Sequence, residues 1–377
     1  MITVCMASYA LRFITGGAYM WMFLNWALGI RANGCRVIWL ESVLPETPLA
    51  SLRSDIDILV SILSDFGLAD SIILVAQDGT PIQTQHPTLP LEAALDADIL
   101  LNLGYDLAPS FIRRFKKTAF VDIDPGLTQL WMSEGSLSIA NHDIYFTYGE
   151  NVGAGNTMIP DCGIEWHYTP PPVYLPEWPV CTAPGNAAYT TVSSWWDSDA
   201  WIPSDGTYVD NSKRSAFLEY LDLPARSGAK IELAIPIADA AQDWQDRVLF
   251  EKHQWSIRRA VEVSASPESY RRYVQQSRGE FSCMRRGYSL LRTAWTGERS
   301  INYLASGKPV LLQDTGTSRF IPSDLGFLRF GNPAEAAHQY REIEKDYQRH
   351  CLGARRIAEE FFDARLVIRN FLGRALA

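Results

Sequence analysis

The sequence predicts an α/β chain with two doubly wound parallel sheets, one on each side of a proline-rich linker. Three observations carry this. Short runs rich in Val, Ile and Leu alternate with helical patterns over the first 170 residues, as in strands buried on both faces and joined by crossover helices. The stretch PPPVYLPEWPVCTAP, from Pro170 to Pro184, holds six prolines, a density that neither a helix nor a central strand tolerates. A second alternation of strand and helix patterns begins after it. A length of 377 residues also favours two domains over one.

In chain order, ITVCMA reads as the first strand and LRFITGGAY as a loop containing Gly16 and Gly17. A helix follows to about Arg31 and stops at Ala-Asn-Gly, where Gly34 is a suitable left-handed cap. CRVIWLE, SIILVA, ADILLNL, TAFVDID and DIYFTYG supply further strands. Beyond the linker, AYTTVSSW, KIELAIPI and SIRRAVEVSA read as strands. SKRSAFLEYLDLP reads as a helix stopped by proline, and PESYRRYVQQSRG as a helix with Pro267 in its first turn. VLLQ and GFLRF are short strands. The end of the chain is helix-rich, with a break near FFDAR. The expected division is residues 1–170 for the N-terminal domain, 171–184 for the linker, 185–355 for the C-terminal domain, and 356–377 for helices packing back on the first domain.

The net charge of −9 excludes nucleic acid as an expected partner, because phosphate backbones are held by clustered Lys and Arg. Residues 1–180 hold 8 basic and 19 acidic side chains, and the remainder 26 and 24. An anionic ligand therefore belongs with the second half. The six cysteines form no CxxC pair and no zinc spacing. Scattered cysteines in a chain of this size fit a reducing cytosol, so a cytoplasmic location is expected. The apolar run from Ala18 to Ile30 is too short for a transmembrane span, and the N-terminus opens like a strand rather than a signal peptide. The aromatic face YMWMFLNW reads as core; any part of it lining a ligand site would imply an apolar or aromatic acceptor.

WTGERSINYLASGKPVLLQDTG, from Trp295 to Gly316, reads as a helix start capped near Thr296, a helix to about Ser306, a Gly307 stop and a strand. A helix start presents unpaired N–H groups and partial positive charge, which suit phosphate. Gly297 permits close backbone approach, and Arg299 offers a charge-assisted contact. Gln313, Asp314 and Thr315 offer hydrogen-bonding groups at the carboxyl edge of the sheet, where doubly wound sheets bind ligands. Phosphate at one place and hydroxyl partners at the other describe a nucleotide sugar.

ERSINYLASGKPVLLQDTG resembles the donor-binding segment of GT-B glycosyltransferases, in which a glycine turn leads a helix and (A/S)xG(K/R/V)PV leads a strand ending in sugar contacts. SRGEFSCMRRGYSLLRTAWTG upstream and DLGFLRFGNPAEAAHQYREI downstream look similar, so the likeness covers roughly residues 270–375; GGAYMWMFLNWALGIRANGCRVIWLE resembles the acceptor half more weakly. The resemblance implies two facing Rossmann-like domains with a cleft between them. It also implies hexosyl-type transfer from a nucleoside-diphosphate sugar, the co-substrate, to an unidentified acceptor hydroxyl, with no cofactor. The donor-binding residues it implies are Glu280, Arg292, Gly297, Glu298, Arg299, Ser300, Gln313, Asp314 and Thr315. Two positions depart from the family pattern. Asn302 stands where retaining members often carry a second glutamate, which favours inversion. Trp295, not His, precedes the Thr-Gly pair.

Inverting transfer needs one general base and charge stabilisation for the departing diphosphate. Asp124 in FVDIDPG, Glu150 in FTYGEN and His167 near the linker are the candidate bases. Asp124 is equally readable as a turn residue bonding its own backbone, and Gly16 and Gly17 either as a loop approaching the cleft or as a plain turn before a helix. Arg285, Arg286 and Arg292 are candidate phosphate contacts or solvated side chains. Asp-x-Asp pairs occur at 55/57, 96/98, 122/124 and 197/199, a number expected by chance in an acidic chain, so no metal is expected. No P-loop, GxGxxG or GxSxG is present. The alternatives to a transferase are a sugar-nucleotide epimerase of the same fold and a non-catalytic sugar- or nucleotide-binding protein.

Overall fold

The structure, a computed structural model, describes residues 1–45, 47–139, 141–155, 157–196, 209–237 and 241–377. The Asp197/Asp199 pair lies outside the described residues. Seven strands form the first sheet: β1 (Thr3–Ser8), β2 (Arg36–Val43), β3 (Ile72–Ala76), β4 (Ile99–Asn102), β5 (Thr118–Asp122), β6 (Ile144–Thr147) and β7 (Trp166–Tyr168). Their order is β3-β2-β1-β4-β5-β6-β7, and every pairing is parallel. Six strands form the second: β8 (Tyr189–Val192), β9 (Ile231–Ile235), β10 (Ser256–Arg259), β11 (Gly279–Ser282), β12 (Val310–Gln313) and β13 (Phe327–Phe330). Their order, β10-β9-β8-β11-β12-β13, repeats the first six positions of the other sheet, again all parallel. This is the Rossmann-like α/β arrangement, twice, with the chain crossing from one sheet to the other between Tyr168 and Tyr189.

The proline-rich crossing carries only one short 3-10 turn, Leu175–Glu177. The first helix, Gly17–Ala32, is buried on nearly all sides from Met20 to Ile30. From Trp21 on its aromatic residues are core and supply no evidence about an acceptor, while Tyr19 at its start is exposed. Its C-terminal half meets the last helix, Ala364–Ala375: a Cβ on Gly29 would lie 2.8 Å from the Ala364 Cβ. Trp26 and Phe371 pack edge to face there. Three local expectations differ. SIRRAVEVSA is a strand only over Ser256–Arg259 and turns helical at Ala260–Ser264. The run GEFS becomes β11, and WHY becomes the edge strand β7. Among the described residues no helix is long and apolar enough to cross a membrane.

Candidate functional site

The carboxyl ends of the two sheets face each other. From the first sheet come the segments after β1, β5 and β6. From the second come those after β8, β11 and β12, together with the turn that opens helix Glu298–Ala305. The segments after β5 and β6 hydrogen-bond to those after β11 and β12, so the expected gap is closed there.

On the first side, Asp122 ends β5 and is fully buried. Its Oδ1 accepts from Thr128 Oγ1 at 2.6 Å and the Asp124 amide at 3.0 Å. Its Oδ2 accepts from Gln129 Nε2 at 2.9 Å and Thr147 Oγ1 at 2.8 Å. Burial pushes its pKa up to about 6, against these hydrogen bonds. Asp122 thus builds the turn, and Asp124 projects beyond it. The Asp124 Oδ1 accepts from Tyr288 Oη of the second domain at 2.8 Å, which puts this carboxylate at the junction.

The other two expected bases do not join it. Both Glu150 oxygens are occupied by the second domain: Oε1 accepts from Ser318 Oγ at 2.7 Å, and Oε2 from the amides of Arg319 at 2.6 Å and Phe320 at 3.2 Å. Glu150 is thus fully buried in these bonds to the second domain's loop. His167 lies mid-strand on edge strand β7, beside Arg374 of the last helix at 3.1 Å and Phe146, away from the Asp124 junction. Gly17 has a different use from the one expected. A Cβ there would sit 2.1 Å from the Ser266 carbonyl oxygen, so its bareness admits the second domain's backbone rather than a ligand. Gly16 precedes that helix as its N-cap.

On the second side, helix Glu298–Ala305 starts one residue later than expected, with Gly297 as N-cap. The turn before it is wound tightly: Arg292 and Ala294 take left-handed φ of 52° and 54°, a conformation costly for residues other than glycine and common at functional sites. A Cβ on Gly297 would meet the Trp295 ring at 3.2 Å. Thr315 Oγ1 donates to the Trp295 carbonyl at 2.9 Å, and the Ala294 amide to the Thr315 carbonyl at 2.8 Å. The helix start and the end of β12 are therefore physically tied, as the nucleotide-sugar expectation requires. Gln313 Oε1 accepts the Met284 amide at 2.8 Å. Asp314 Oδ2 lies 3.8 Å from exposed Arg292, while its Oδ1 accepts the Gly316 amide. Ser300 is buried within the first turn.

Arg299 is engaged within its own domain. Its guanidinium donates to Glu280 Oε1 at 2.7 Å, to the Val192 carbonyl at 2.8 Å and to Ser282 Oγ. Arg299 and the fully buried Glu280 consequently brace β8, β11 and the helix against one another, in place of the free phosphate contact expected of Arg299. Arg286 pairs with Glu219.

The cation that sequence reasoning missed is Lys213. It is buried, and its Nζ donates to the Cys283 carbonyl at 2.5 Å and lies 3.8 Å from the Met284 sulfur. Burial, with the nearby Arg299 and Arg285, pushes its pKa well below the ordinary lysine value. Its only local signal is its position just after the serine cap Ser212.

Around this junction, several buried polar atoms have no protein partner: Ser193 Oγ, Glu280 Oε2, Thr293 Oγ1, Trp295 Nε1, Thr296 Oγ1 and Glu298 Oε1. Buried polar groups are nearly always paired, and four of these six lie in the single stretch 293–298 that opens helix Glu298–Ala305. Burial raises the Glu298 carboxyl pKa to about 8; its own backbone amide opposes this, and Asp124 across the junction adds to it.

No family model matches the sequence, and no curated protein matches it at a significant level. Solved structures match over essentially the whole chain. HepE from Anabaena in complex with UDP-glucose aligns with a TM-score of 0.57 and 14% identity, covering 99% of both chains. Sucrose-phosphate synthase from Thermosynechococcus elongatus aligns at 0.55 and 11%, covering 100% of this chain and 99% of that one. An alpha-glucosyltransferase in complex with UDP and a 13-mer DNA aligns at 0.60 and 11%, covering 100% of both. At such identities the likeness establishes the fold, the two-domain GT-B arrangement.

Proposed function

We propose that this protein is a glycosyltransferase that moves a sugar from a uridine-diphosphate sugar to an acceptor hydroxyl. The observation that carries the proposal is the run of partnerless buried polar atoms at 293–298, in the turn that opens helix Glu298–Ala305 beside the end of β12. The shared fold with proteins crystallised with UDP or UDP-glucose supports the choice of donor.

In this reading the diphosphate lies between Lys213 and the start of helix Glu298–Ala305. A dianion there favours the charged form of the lysine, opposing the effect of burial, and gains the amides of the helix start. Lys213 then does the electrostatic work that a metal performs in other transferases, so the reaction runs without one. Asp314 and Thr315, at the end of β12, face the sugar, with Gln313 holding the neighbouring loop. Asp124 takes the acceptor proton as C1 bonds to the acceptor oxygen and the C1–O bond to the diphosphate breaks. One base and Asn302 in place of a glutamate favour inversion. The DNA named with one similar structure belongs to that protein; the −9 charge of this chain favours an acceptor other than nucleic acid. Scattered free cysteines favour a cytoplasmic setting.

The test is incubation with a panel of UDP-sugars, with and without EDTA, scoring free UDP and the anomeric configuration of the product by NMR. Transfer or slow hydrolysis with free UDP, undiminished by EDTA, is expected. Sugar interconversion without UDP release contradicts the proposal.

A further inference from the structure

Glu150 and Asn151 follow β6 of the first domain, yet their partners lie in the second. Glu150 gathers Ser318, Arg319 and Phe320. Asn151 donates from its amide to the Thr293 carbonyl at 3.2 Å, and from Nδ2 to the carbonyls of Arg292 at 2.8 Å and Thr317 at 3.2 Å. Tyr168 stacks on Phe320 with ring centroids 5.2 Å apart and planes 9° apart. Ser318 Oγ also accepts the Ile321 amide at 2.8 Å, which closes the loop on itself around the carboxylate. The same two stretches, 292–297 and 314–321, hold the two halves of the site, the helix start and the strand end. Gly316 fixes their approach: a Cβ there would lie 2.6 Å from the Arg292 carbonyl oxygen. A buried carboxylate bonded to three donors of one loop is costly to expose on one side only, since opening leaves it and two amides without partners.

We infer that Glu150 is a positioning residue: from the first domain it latches the loop after β12 onto the junction and so sets the donor pocket of the second. Domain opening has to break this cluster as a unit, and donor binding draws on it, because the loop that Glu150 holds leads directly from Asp314 and Thr315. The donor part of this statement rests on the glycosyltransferase reading; the latch does not.

The test compares wild type, Glu150→Gln and a control, Glu165→Gln, at an exposed carboxylate beside His167, by hydrogen–deuterium exchange, small-angle scattering and UDP titration calorimetry. Glutamine keeps the shape, loses the charge, and retains only one acceptor oxygen. The expected result is faster exchange confined to 292–297 and 314–321, a larger radius of gyration, and roughly tenfold weaker UDP binding, of the size typical of coupled sites. The control should match wild type in all three. Unchanged exchange and scattering in Glu150→Gln overturn the latch, and so does a loss of protection spread over the whole chain. Local exchange change with no UDP binding by any of the three proteins keeps the latch and removes the donor reading. Unchanged UDP affinity beside a changed loop overturns the coupling.

Discussion

A lysine buried against a carbonyl and a thioether is hard to explain by stability, since an ammonium in such surroundings loses hydration and, among the described residues, gains no directly paired carboxylate. Lys213→Met separates function from stability. The variant should melt at the same or a higher temperature, yet bind UDP on the order of ten- to a hundredfold more weakly, the loss of one charge-assisted contact. Calorimetry and thermal denaturation read the two effects, and a variant that is both less stable and unchanged in affinity refutes the assignment. Asp124→Asn should lower turnover by roughly 10²–10⁴-fold, the range for a general base, while UDP affinity stays within about threefold of wild type. Full turnover in that variant rejects Asp124. Glu298 gives a pH signature. Its folded pKa of about 8 lies above the ordinary 4.5, so between those values the folded protein holds a proton that the unfolded chain has released. Its contribution favours folding at low pH and is lost as pH rises through about 8. Glu298→Gln should flatten that part of the decline in melting temperature, and an identical pH slope in the variant would show that the carboxyl is not so buried.

At the scale of elements, most of the two sheets was legible, because parallel strands buried on both faces write themselves as runs such as IILVA and ILLN. The strands missed, β7 and β11, are three and four residues long, and WHY and GEFS carry no apolar run. The helix after Ser256–Arg259 was missed because Val-Glu-Val alternates like a strand, while the serine-rich stretch after it lets the chain turn. The glycines expected to admit a ligand admit protein instead, because what approaches them is a tertiary fact. Gly17 lies against the second domain, and Gly297 lies under Trp295. Gly17→Ala should cost about 1–3 kcal/mol or more, as overpacking does, by forcing the first helix away from the Ser266 carbonyl. Urea denaturation measures this, and a neutral result would show that the helix start can shift freely.

At the scale of the whole molecule, sequence found the two Rossmann-like halves, and the segment proposed here as the donor site was legible as helix start, cap and strand because these lie within one continuous stretch. It ranked the charged residues less well. Arg299 sits at the expected place, yet a glutamate nineteen positions upstream holds it. Glu150 sits at a strand end like a catalytic base, yet a loop about 170 positions away occupies it. Lys213 is brought to the edge only by the fold. Partnerships across such distances are decided by packing and cannot be read from local pattern. Of these only Glu150 crosses between the domains, alongside Asp124 and Asn151, so in this account binding and closure are coupled through that cluster.

Calorimetric titration of UDP into the wild-type protein and Lys213→Met tests the account most directly. A saturable one-to-one site in the wild type that is weakened at least tenfold in the variant is the predicted result. No binding at millimolar UDP, or equal binding by both proteins, would contradict it.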